Sequence, residues 1–146
     1  MKRLFGSIRT KLFVCAFAVV AMVSASQAFA QETEVKVKVP FAFESGSQHY
    51  PADTYVIRFE SGHLLLLQGH SISGFVMTSS TESPKTVEIG KVVFQRYGER
   101  YYLRQVWAAG TTIGSECVKT REEKQAQIAM QKNSAPNVQL TLNTSH

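Results

Sequence analysis

The chain has 146 residues, with 16 Lys+Arg against 11 Asp+Glu, two cysteines, 44% hydrophobic residues and 18% charged ones. That length holds one hydrophobic core and excludes the large dinucleotide-binding and barrel enzyme folds, while the composition excludes a disordered or fibrous chain. The net charge of +5 is unevenly placed, because Lys2, Arg3, Arg9 and Lys11 stand at the start with no acidic residue among them. An uncharged apolar run over 12–23 follows, then small and polar residues ending in Ala28-Phe29-Ala30. This is the anatomy of a secretory signal peptide over 1–30, with cleavage expected after Ala30. The apolar run is shorter than the ~20 residues that span a bilayer. Around Cys15 the residues outline a lipobox, but Val14 is not small and the apolar run continues past the cysteine.

Removing 1–30 takes four basic residues and no acidic one, so 12 basic residues face 11 acidic ones over the remaining 116. A formal charge of +1 does not form the basic stripe that nucleic acid requires. One thiol remains, Cys117, which excludes an internal disulfide framework and leaves a pairing between two chains as its oxidised form.

Residues 34–43 alternate strictly, with Val35, Val37, Val39, Phe41 and Phe43 on one face, the period of a half-buried strand. Pro40 cannot donate to a ladder and marks an edge or a bulge. Residues 44–48 form a polar turn around Gly46, and Pro51-Ala52-Asp53 forms a second turn. Strands over 54–60 and 63–68 flank Ser61-Gly62 as a two-residue hairpin. Its register sets Glu60 against His63, Phe59 against Leu64 and Ile57 against Leu66, with Tyr55, Ile57, Phe59, Leu64 and Leu66 as the core face. A strand over 72–79 carries Gly74 as a bulge, and 80–85 is loop. A second hairpin, 91–97 and 100–108 around Gly98-Glu99, places Val92, Phe94, Tyr101, Leu103 and Trp107 on one face. Its other face carries Val93, Gln95, Tyr97, Tyr102, Arg104 and Val106. Residues 109–114 read as a loop of small residues. Thr120 and Glu123 have the capping-box spacing and open a polar helix over about 121–132, with Ala126, Ala129 and Met130 as a narrow apolar stripe. Val138, Leu140 and Leu142 alternate with polar residues in a last strand over about 137–142.

Val39-Pro40-Phe41-Ala42-Phe43, then Tyr50-Pro51-Ala52-Asp53-Thr54-Tyr55-Val56, resemble a family of small secreted bacterial β-rich proteins that share V-P-F-x-F and P-A-G-x-Y-x-V motifs. The family's V-F-x-R-Y-G-x-R-Y hairpin matches Val93 to Tyr101. The resemblance covers nearly the whole of 31–146 and departs at Asp53, where the pattern has glycine. It implies an exported β product and carries no catalytic residues.

No G-x-S-x-G or S-x-x-K signature is present. His49, His63 and His70 are the bases that could reach Cys117, and Glu60 with His63 is a cross-strand pair whose plain reading is a surface hydrogen bond. The histidine spacing fits no metal-ligand pattern, so no metal or cofactor is expected. Asn143-Thr144-Ser145 fits a glycosylation sequon by coincidence of composition. The aromatic residues offer a candidate binding surface: Tyr97, Tyr102 and Arg104 on one hairpin face, beside Trp107. Such a strip can stack on sugar rings or accept a partner strand, or it can simply hold a sheet together.

The expected fold is mainly β, an antiparallel sandwich or partly open barrel of about seven strands with one helix before the last strand. The expected role is non-catalytic, a periplasmic or cell-surface module that binds envelope polysaccharide or another exported protein. The alternatives are a small barrel holding an apolar ligand and, further off, a Cys/His-based or metal-dependent hydrolase.

Overall fold

A computed structural model describes residues 34–133 and 135–145, and the leader expected over 1–30 lies outside the described residues. In chain order the elements are β1 (Glu34–Val39), β2 (Phe43–Ser45), β3 (Gln48–Tyr50), β4 (Asp53–Ser61), β5 (Leu64–Gln68), β6 (Ser73–Val87), β7 (Lys91–Tyr97), β8 (Arg100–Trp107), β9 (Thr111–Cys117), α1 (Arg121–Lys132) and β10 (Val138–Asn143). The protein is therefore mainly β with one helix among the described residues, in ten strands where seven were expected.

Antiparallel ladders run from β1 to β4, β5 and the first part of β6. From Thr78 onward β6 leaves β5 and pairs with β9, which continues to β8, β7 and β10. The sheet is mixed, because the β2–β3 hairpin joins β8 in parallel at Glu44–Tyr102. It does not close. β10 reaches β1 through one antiparallel bridge, in which the Ser145 N–H donates to the Lys36 carbonyl at 2.9 Å.

The three additional strands and the extension of β6 fall in largely polar segments. Backbone ladders satisfy N–H and C=O groups whatever the side chain, so polar segments pair as well as apolar ones. Residues 44–48 thus form the β2–β3 hairpin around Gly46, whose φ of 59° is the left-handed conformation that glycine adopts without strain. Residues 80–85, expected as loop, lie within β6. Residues 111–114, also expected as loop, lie within β9.

Two bulges rearrange the faces that period-two counting assigned. In β4 the register shifts between Phe59 and Ser61, so Phe59 opposes Leu65 and Ile57 opposes Leu67. Leu65 and Leu67 therefore enter the core fully buried, while Leu64 and Leu66, expected inside, stay on the half-exposed outer face. In β8 the extra residue is Arg104, since Phe94 opposes Leu103 and Val93 opposes Gln105. Beyond it Val106 turns inward and Trp107 outward, the reverse of the unbulged reading. The bulge expected at Gly74 is absent, and Gly74 pairs in register with Leu67. A Cβ there would meet the Tyr50 hydroxyl and the Gln48 side-chain amide, so those side-chain ends would have to shift.

The core draws on every strand from β1 to β9, with Leu140 and Leu142 of β10 against it. At its centre Phe43 stacks on Tyr50 at 5.1 Å and meets Tyr55 and Phe94 edge-on. Phe41, just past β1, lies on Tyr101 at 4.1 Å. Full burial of side chains of this size contributes ~1.5–3 kcal/mol each. Their polar ends are satisfied locally, the Tyr55 hydroxyl donating to the Pro51 carbonyl at 2.6 Å and the Tyr50 hydroxyl to Gln48 Oε1 at 2.8 Å. Asp53 pins two turns together, its carboxylate accepting from the Thr54 and His70 N–H groups at 2.7 Å each. Those two bonds hold the Asp53 carboxyl below the usual carboxylate range.

Candidate functional site

The hairpin strip singled out in the sequence is present, but α1 covers most of it. Tyr97, Tyr102 and Trp107 are buried at 5%, 2% and 5% exposure, and the Arg104 side chain keeps 11%. The Tyr97 and Tyr102 rings meet at 5.6 Å. Trp107, displaced by the Arg104 bulge, sits apart from them with Val87 and Val93, under the Lys91 ammonium and against Gly114. The strip is therefore not an open stacking surface, which corrects the expectation. Tyr97, Tyr102 and Arg104 share the hairpin face expected for them, and a polar helix lies on them, whereas Trp107 reaches that face only through the bulge.

The helix begins where the capping pattern places it. Thr120 is extended, and its hydroxyl accepts from the Glu123 N–H at 3.2 Å. The Glu123 side chain does not complete the box. It turns instead to the sheet, where it is the one buried residue of α1, with Ala126, Gln127 and Met130 half-buried along the same face. Met130 Sδ receives the Gly98 N–H at 3.1 Å, which sets the far end of the helix over the β7–β8 turn. Ala129, expected in the docked stripe, is exposed.

Arg104 organises the space between helix and sheet. Nη2 donates to Glu116 Oε1 at 2.6 Å and Nη1 to the Cys117 carbonyl at 2.8 Å, leaving Nη1 3.5 Å from Glu123 Oε1. One guanidinium thus serves two carboxylates, and the closer one is the partly exposed Glu116. Burial raises the Glu123 carboxyl above its ordinary range, with Arg104 and Lys119 opposing the rise. Burial likewise raises the Tyr97 and Tyr102 phenols.

Cys117 is a free thiol inside the core, pushed up to about 12 mainly by burial. At 3% exposure its sulfur cannot meet another chain's thiol in the folded protein, which corrects the expectation of an intermolecular disulfide. His49, His63 and His70 are exposed on the surface. The expected Glu60–His63 pair is undone by the bulge in β4, where Ser61 opposes Leu64. Among the described residues no group of three or more His, Cys, Asp or Glu could hold a metal ion.

Beside this covered strip lies a polar cleft of about 270 Å³, bordered by Glu44, Ser47, Gln48, His49, Arg100 and Glu122. The β2–β3 turn supplies one wall, the first residue of β8 another and the first turn of α1 the third. Arg100 Nη2 contacts Glu44 Oε1 at 3.0 Å, while the Arg100 side chain stays 58% exposed. The cleft offers amide, imidazole, hydroxyl, guanidinium and carboxylate groups within one concave surface. Its sequence signal was the polar 44–48 turn, but Arg100 and Glu122 arrive from segments whose convergence no local spacing shows. No protein-family model matches the chain, and neither a curated protein nor a solved structure matches it.

Proposed function

We propose that this chain is an exported, non-catalytic binding module of the bacterial envelope, holding a hydroxyl-rich ligand such as an envelope polysaccharide in the cleft between the β2–β3 turn, Arg100 and Glu122. The cleft is the observation that carries the reading. Hydroxyl groups need donors and acceptors interleaved at hydrogen-bond spacing, and Gln48, His49, Arg100 and Glu122 present both kinds around one cleft. The residues over 1–30 support export, as does the resemblance to secreted β-rich proteins.

Of the two expected architectures, a partly open barrel fits the strand order better than a sandwich. Neighbours run β1-β4-β5-β6-β9-β8-β7-β10, and the Lys36–Ser145 bridge leads back to β1. The packed rings of Phe43, Tyr50, Tyr55 and Phe94 occupy the interior that an apolar ligand would need, which favours the cleft over a lipocalin-like alternative.

Calorimetric titration with soluble fragments of envelope polysaccharide tests the proposal. Arg100→Ala and Glu122→Gln should each weaken binding by about tenfold, the effect of losing one charge-assisted hydrogen bond. Wild-type protein that binds no such fragment, or variants that bind equally well, would sink the reading.

A further inference from the structure

We propose that α1 is a proton-operated cover on the outer face of the β7–β8 hairpin, held firmly when Glu123 carries a proton and loosened when Glu123 is ionised. The geometry carries the argument. Glu123 is the one residue of α1 withdrawn from solvent, at 3% exposure, so the helix docks through an acid. The cation available to it, Arg104, is committed elsewhere: its short contacts go to Glu116 and the Cys117 carbonyl, and Glu123 receives the 3.5 Å one. The groups around Glu123 are Arg104 and Tyr102 from β8, Glu116 from β9, Glu44 from β2, Tyr97 from β7 and Lys119 before the helix. Glu116 and Glu123 therefore share one inward-facing guanidinium, with Glu44 nearby but paired to Arg100, and an ionised Glu123 is buried with partial compensation. A protonated Glu123 removes the excess charge and keeps the packing.

The sign follows from linkage. A carboxyl whose pKa is raised on docking binds its proton more tightly in the docked state than in the free helix. Docking is strongest below the ordinary glutamate value of 4.5 and is lost progressively as pH rises through the raised value. Little else secures the helix. Its remaining contacts are half-buried Ala126, Gln127 and Met130, and an isolated helix of this length is marginal in water. Opening is then a local unfolding of α1 that uncovers Tyr97, Tyr102 and Arg104. Glu122 is the next residue, so opening also dismantles one wall of the cleft, and the relevance of that to ligand rests on the proposed function.

Hydrogen exchange on the full chain, followed by peptide mass spectrometry, tests the cover without any ligand. The measurement compares α1 with β4–β5 as internal reference at about pH 4 and about pH 7.5, in wild type and Glu123→Gln. Wild-type α1 should lose protection by about threefold or more on going to the higher pH. Glu123→Gln, neutral throughout, should show no such loss and should exceed wild type at neutral pH. Identical protection and identical pH courses in the two proteins would overturn the proposal. If Glu123→Gln fails to fold, wild-type α1 protection that does not change relative to β4–β5 overturns it by itself. Failure of polysaccharide binding leaves the exchange result standing, and the reverse also holds.

Discussion

The two faces of the β7–β8 hairpin are withdrawn from water by opposite means. The inner face presents Val92, Phe94, Leu103 and Val106, all at 2% exposure or less, to branched and aromatic side chains from other strands. The outer face presents Tyr97, Tyr102, Arg104 and Trp107, which are nearly as well buried. Over Tyr97, Tyr102 and Arg104 the cover is a helix with one buried side chain, and that side chain is a carboxylic acid, while Trp107 packs apart with Val87 and Val93 under Lys91. The inner face is stabilised by area removed from water, a term indifferent to partner identity. The outer face depends on particular pairings, because each polar group taken from water costs energy unless a specific partner meets it. Burial alone therefore does not separate a core from a site. The chemistry of the cover does.

Three substitutions probe that contrast. Phe94→Ala empties the centre of the ring cluster and should cost about 3–5 kcal/mol in urea unfolding, the range for truncating a buried aromatic. A loss below about 1 kcal/mol would mean that the inner face is not the seat of stability. Arg104→Ala should cost about 3 kcal/mol, the low end for removing one partner of a buried ion pair, since Glu116 at 39% exposure can rehydrate. Its loss should be concentrated in α1, so helix circular dichroism should fall before the sheet signal in a urea titration. Coincident transitions would show that the outer face is as cooperative as the inner one. Gly114→Ala has the smallest expected effect. A methyl group there would lie 2.5 Å from Trp107 Cδ2, and overpacking of this kind costs about 1–2 kcal/mol. Trp107 is the chain's one tryptophan, so its emission should shift with the stability loss. An unchanged spectrum and unchanged stability would mean that the indole is loosely seated.

Alternation and capping made the existence of β1, β4, β5, β7, β8 and α1 legible, because each carries a periodic signal, although bulges changed which faces of β5 and β8 enter the core. Val35, Val37 and Val39 are buried in β1 as period two requires, and Thr120 caps α1 as its hydroxyl suggests. Less legible were segments whose pairing depends on backbone alone. β2, β3, β9 and the later part of β6 are largely polar, and nothing local distinguishes such strands from loops. An inserted residue is equally silent in a sequence. The extra residues Glu60 and Arg104 exchange Leu64 for Leu65 in the core and Trp107 for Val106. For the candidate site, the composition of the aromatic strip was readable and its accessibility was not, because α1 folds onto it through an acid that polarity alone would place in solvent.

The bridge between Lys36 and Ser145 sets an order of assembly. The β4–β5 and β7–β8 pairings join neighbours in sequence, so little chain entropy opposes them. Bringing Ser145 to Lys36 closes a loop that contains nearly all the described residues, and such long closures are favourable once the intervening strands are already in place. A chain delivered from its amino end keeps β1 waiting beside an empty position until residue 145 arrives. The seam between β1 and β10 is thus the last part of the sheet to form and the first to part, and truncating the few residues after β10 should loosen β1 before any other strand.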